Sequence, residues 1–150
     1  KGKEDMFMKT IEHAMMSFAE FLNNNICNCN SAAEKLNNYI DGTFSLIVNN
    51  HQLARIVVKE LPNFTVKMLN DPKVKKRKMF EIRVGTIRNI IEEGKANGEF
   101  RNVDTDTIAL MILGAVNIYI TRFMIEGLTL EQMKINEFKK MLIDILKKED

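Results

Sequence analysis

The chain has 150 residues, the length of one domain and enough to bury roughly 68–70% of the surface that its unfolded form would expose. With 45% apolar and 28% charged residues it is neither disordered nor fibrous, and 22 Lys and Arg against 20 Asp and Glu leave a net charge of +2, too little for a general field that grips nucleic acid. Seven glycines and two prolines favour long helices over a meander of short strands.

An amphipathic helix is predicted from residue 4 to about residue 24. Phe7, Ile11, Met15, Phe18 and Leu22 recur every three or four positions on one face, with Thr10, His13, Ser17 and Glu20 opposite. The opening Lys1-Gly2-Lys3-Glu4-Asp5 lacks the basic-then-apolar order of a secretory signal. After a stretch rich in Asn, Ser31 with Glu34 forms a capping box for a second helix that runs to about Asn49. Its buried face passes through Leu36, Tyr39 or Ile40, Phe44, Ile47 and Val48. Gly42 costs that helix about 1 kcal/mol against Ala, which implies a packing or binding reason. A short third helix over residues 51–61 ends before Pro62, and a further turn covers residues 64–69. Asp71 and Pro72 open a fourth helix over residues 72–97, with Phe80, Val84, Ile87 and Ile91 towards the core and Gly98 as its left-handed close.

Asp104 or Asp106 caps the fifth helix, which is apolar on nearly every side from Ile108 to Ile125 and stops at Gly127. Its uninterrupted run ends before Arg122 after about 14 residues, short of the roughly 20 that a bilayer needs, so a buried helix and no membrane contact are expected. The sixth helix starts near Thr129 and Glu131, carries Leu130, Met133, Phe138, Met141, Leu142, Ile145 and Leu146, and ends in Lys147-Lys148, which suits the macrodipole. A helix as apolar as the one around Ala115 needs cover that a lone subunit does not supply. The expectation is therefore an all-α bundle of about six helices, residues 1–150 forming one domain, that pairs with a second copy. The last two long helices of each copy would build a four-helix interface through Ile112, Val116, Tyr119, Phe123, Met133, Phe138, Met141 and Ile145.

The run Ile90-Ile91-Glu92-Glu93-Gly94-Lys95-Ala96-Asn97-Gly98-Glu99-Phe100-Arg101-Asn102-Val103-Asp104, followed by Ile108-Ala109 and the apolar helix to Gly127, resembles the C-terminal domain of TetR-family transcriptional regulators. The start, Lys1 to Phe7, resembles the segment just after that family's DNA-recognition helix. The resemblance implies a homodimer whose last two helices form the interface and whose earlier helices enclose a pocket for a small, largely apolar effector. It also implies a helix-turn-helix upstream of Lys1, so that DNA is read only through that missing N-terminal domain. The first helix would then be the lever, and the effector must favour one spacing of the two DNA-binding heads over the other.

For such a pocket the expected lining is Met15, Phe18, Tyr39, Thr43, Phe44, Ile47, Arg83, Val84, Ile87, Asn117 and Thr121. The polar members matter because a buried polar group must find a partner and a ligand can be that partner. Arg83 either reaches an anionic ligand group or salt-bridges a residue such as Glu81 or Glu60. Asn117 either fixes the dimer register or faces the cavity. The ten methionines suit an adaptable pocket or plain core.

Other constellations read as structural. Cys27, Cys29, His13 and His51 are of ligand type, but their spacing matches no structural zinc pattern, so neither metal nor cofactor is expected. Cysteines two apart rarely meet disulfide geometry, which points to a reducing, cytoplasmic setting. Glu92-Glu93, Asp104 and Asp106 read as surface or capping carboxylates rather than a converging acid and base, and no nucleophile, phosphate-loop or dinucleotide motif occurs. No enzyme is expected. The basic run Lys73, Lys75, Lys76, Arg77 and Lys78 is a phosphate or lipid contact in its sharp reading and a solvated first turn in its plain one. The alternative to an effector-binding regulator is a helical adaptor that dimerises and takes a partner helix in a groove.

Overall fold

A computed structural model describes residues 2–26, 28–50, 55 and 76–148 of the protein. Five helices lie among them: α1 (Lys3–Ile26), α2 (Ala32–Asn49), α3 (Lys76–Ala96), α4 (Thr105–Glu126) and α5 (Ile135–Leu146). The short helix expected over residues 51–61, the turn over 64–69 and the Asp71-Pro72 start lie outside the described residues.

Local chemistry sets most of the boundaries. Ser31 stands in extended geometry and its hydroxyl accepts the N–H of Glu34 at 3.1 Å, while the Glu34 carboxylate accepts the N–H of Asn30. Asp104 caps α4 by accepting the N–H of Thr107 at 2.8 Å, and Gly127, at φ 64°, ends that helix in the left-handed region. Gly98 follows α3 at φ 73°.

The core forms where these helices face one another. α1 packs on α2, α2 on α3 and α3 on α4, and α5 touches α2. Phe18 and Leu22 of α1 meet Leu36, Tyr39, Ile40, Phe44 and Ile47 of α2, together with Val84, Ile87, Ile90 and Ile91 of α3, in one buried cluster. Gly42 has the packing reason anticipated for it: a Cβ there would stand 2.9 Å from Cε1 of Phe21 and 3.2 Å from Cδ2 of Leu22, so a larger residue would push α1 away.

The segment from Gly94 to Arg101 ties three helices together. The Phe100 ring lies over Gly94 so closely that a Cβ would be 2.2 Å from its Cδ2, and the Phe100 N–H donates to Gly94 O at 2.8 Å. Arg101 N–H donates to Leu146 O at 2.9 Å, and Lys148 N–H to Glu99 O at 3.3 Å, which docks the end of α5. The Glu99 carboxylate accepts the N–H groups of Ala32 and Ala33 at 2.7 and 2.9 Å, two orphan donors in the first turn of α2.

By length and composition alone α4, with its 22 residues, could cross a bilayer. Arg122 and Glu126 pair with each other on its surface at 2.8 Å. One expectation about the C-terminal half needs correction. The last helix is not long: it begins at Ile135 and has 12 residues. Thr129 and Gln132 cap each other reciprocally in a preceding turn, and Lys134 then takes φ 56°, which breaks the helical path.

Candidate ligand-binding core and outer face

Side chains on α1 to α3 that were expected to line a pocket are buried together, while Asn117 and Thr121 on α4 are half-buried. Phe18, Tyr39, Thr43, Phe44, Ile47, Val84 and Ile87 are all core residues. Met15 stands on α1, and its side chain lies outside the described set. Tyr39 and Phe18 pack with ring centroids 6.5 Å apart. Thr43 spends its hydroxyl proton on Tyr39 O at 2.8 Å, the usual back-bond of a helical threonine. The Tyr39 hydroxyl has no such outlet: it is fully buried and without a hydrogen-bond partner among the described residues, as is Oδ1 of Asn37.

Arg83 and Asn117 meet between α3 and α4. Nη2 of Arg83 donates to Oδ1 of Asn117 at 3.1 Å, and both residues are half-buried. The salt bridge weighed for Arg83 does not form with Glu81, whose carboxylate turns to Arg88, and Glu60 lies outside the described residues. Asn117 thus faces α3. Thr121 donates to Asn117 O at 2.9 Å.

A surface cleft of about 210 Å³ opens between α1 and α2, lined by Phe21, Asn25, Asn38, Asp41, Gly42 and Ser45. None of the residues expected to hold an effector lines it. Gly42 was the one sequence signal that marked it.

The outer face of α4 and α5 differs in register from the expectation. Ile112, Val116 and Met133 point into the chain's own core, with at most 2% exposure, so they are not available to a second copy. Tyr119 is half-buried, its ring held edge-on to Phe44 at 6.3 Å and tilted against Phe138 at 5.0 Å. Phe123 and Phe138 are likewise half-buried against the core. Met141 and Ile145 do face outward, 64% and 46% exposed. The uncovered positions of α4 are Leu110, Met111, Ile118 and Ile125, with Gly114 among them opening onto free space. An apolar stripe left bare over two helices is the kind of patch that marks an association surface.

Most charged groups with shifted titration sit in surface pairs and caps. Thr105, then Lys95, hold the Glu92 carboxyl below its ordinary range, and Arg122 does the same for Glu126. Arg88 is raised by Asp106 foremost. Among the described residues no three His, Cys, Asp or Glu side chains gather as metal ligands; Cys27 and His51 lie outside them. The arrangement offers a buried hydroxyl, a cation and an apolar interior, which can bind a ligand; among the described residues no acid and base converge on one point.

The helix order has counterparts among known proteins. The family model described as the tetracyclin repressor-like C-terminal domain matches residues 29–143. The chain belongs to that family. Two crystal structures share the fold. One is the transcriptional regulator FadR from Bacillus subtilis in complex with stearoyl-CoA, with TM-score 0.79 and 22% identity over 97% of this chain and 77% of that one. The other is a bacterial regulatory protein in the tetR family from Rhodococcus RHA1, with TM-score 0.73 and 16% identity over 99% of this chain and 76% of that one. No curated protein matches the chain in sequence. The TetR-like segment from Gly94 to Asp104 thereby acquires a structural meaning, since it is the knot that holds α2, α3 and α5 in this all-α arrangement.

Proposed function

We propose that residues 1–150 are the regulatory domain of a TetR-like transcriptional repressor. The domain binds a small, largely apolar effector among α1 to α4 and pairs with a second copy through the outer face of α4 and α5. It relays occupancy through α1 to a helix-turn-helix upstream, acts in the cytoplasm, and catalyses no reaction. The buried Tyr39 hydroxyl carries the effector half of this reading. A polar atom left unpaired in an apolar core costs about 1–3 kcal/mol, and a bound molecule offering a hydrogen-bond partner would recover that cost. Family membership and the stearoyl-CoA held by the Bacillus subtilis regulator support it. The dimer half rests on the bare stripe of Leu110, Met111, Ile118, Ile125, Met141 and Ile145.

Sedimentation at micromolar concentration tests the dimer, and a monomer there would remove that half. Thermal melting with apolar compounds tests the effector: a binder at a hundredfold excess over its dissociation constant stabilises the fold by about 2.7 kcal/mol. If the Tyr39→Phe variant gains as much from every binder as the parent chain, the hydroxyl has no part in recognition.

A further inference from the structure

We propose that the effector carries an oxyanion on its apolar body and that Arg83, held by Asn117, receives it. This rests on reading the chain as an effector-binding domain. A guanidinium has five N–H donors and no acceptor. Among the described residues Arg83 uses one, on the neutral Oδ1 of Asn117. A neutral amide orients a guanidinium without balancing its charge, and a half-buried charge calls for a counter-charge.

Its neighbours have one. Arg88, also on α3, bonds Asp106 at 2.5 Å and Glu81 at 3.3 Å, and Arg122, on α4, takes both oxygens of Glu126. Arg83 sits between these helices beside Val84 and Ile87, both fully buried, and no carboxylate among the described residues meets it.

Oδ1 of Asn117 is taken by Arg83 and its backbone carbonyl by Thr121, whose hydroxyl has given up its proton and can only accept further. The donors still on offer are the rest of the guanidinium fork and the Asn117 amide. A donor-rich spot at the edge of an apolar core suits a carboxylate or phosphate joined to a hydrocarbon body, because a guanidinium fork accepts two oxygens side by side.

The test compares decanoate with 1-decanol by calorimetry and thermal melting. The two probes share a chain and differ in charge. Decanoate should bind the parent chain at least about tenfold more tightly. Arg83→Gln should bring the two probes within about twofold of each other, and Arg83→Lys should keep part of the preference. Equal binding of acid and alcohol by the parent chain overturns the inference and leaves the effector-domain reading standing, whereas binding of neither overturns both. A full acid preference in Arg83→Gln also overturns it. The comparison in the parent chain decides even if Arg83→Gln fails to fold.

Discussion

The carboxylate of Glu99 accepts the N–H of Ala32 at 2.7 Å across 67 positions of sequence. It also takes the N–H of Ala33, so the first turn of α2 is capped by the loop that joins α3 to α4 as well as by its own Ser31. Two partly buried hydrogen bonds to a charged group make this a strong tertiary clasp.

Glu99→Ala should cost about 1.5–3 kcal/mol, read as a lower urea midpoint with unchanged slope. Glu99→Gln keeps one acceptor oxygen and should lose less. If both variants match the parent chain, the clasp contributes nothing to stability.

Gly94→Ala should be destabilised by about 1–3 kcal/mol, because its new Cβ would occupy the place of the Phe100 ring. The double change Gly94→Ala with Phe100→Leu should cost less than the sum of the two single changes, since removing the ring relieves the crowding that the new Cβ creates. Strict additivity in a double-mutant cycle would show that ring and glycine do not oppose each other.

Gly114→Leu and Ile118→Glu alter the bare stripe of α4 where no described residue stands within 4 Å of a Cβ at the glycine and the isoleucine is 62% exposed. Each should leave far-ultraviolet circular dichroism unchanged and convert a dimer to a monomer in sedimentation, since a charge or bulk at the centre of an apolar contact costs several kcal/mol. Persistence of the dimer in both would move the interface elsewhere.

Acid should weaken the cap of α4. The Thr107 hydroxyl, then its backbone N–H, hold Asp104 below its ordinary value. A carboxylate lowered in the folded state stabilises above its unfolded pKa, and that contribution is lost as pH falls through the folded one. The loss therefore begins near about pH 4 and grows below it. Asp104→Asn keeps an acceptor that does not titrate, so its melting temperature should fall less steeply than the parent's between about pH 5 and about pH 2.5. Parallel slopes would assign the acid sensitivity to other groups.

Lys134→Gly should raise stability by up to about 1 kcal/mol, since a left-handed backbone strains a side chain and glycine relieves it, less the entropy glycine adds to the unfolded chain. A lower melting temperature would mean that the lysine side chain contributes more than its backbone costs.

Much of the fold was legible because its signals are local. Ser31, Asp104, Gly98 and Gly127 act on backbone within a turn of themselves, and the apolar spacing of α2 and α3 picked out Leu36, Phe44, Val84 and Ile87. The register of α4 was not legible: a helix apolar all round has no period that tells Ile112, which is buried, from Ile118, which is not. Lys134 carries no sign in its chemistry of the left-handed turn imposed by its neighbours. The role of Glu99 could not be read either, since the donors it caps are brought to it only by folding. Arg83 and Asn117 each stood out as polar residues in apolar surroundings, but that they hold each other depends on how α3 crosses α4.

The file of rings formed by Phe44, Tyr119 and Phe138 braces α2 against α5 through a side chain of α4. Closely packed interiors hand displacement on instead of absorbing it. A guest wedged beside Phe44 would therefore lean on the helix that carries Met141 and Ile145 without touching it, and two copies seated on those side chains would feel its arrival as a change in how they tilt against each other.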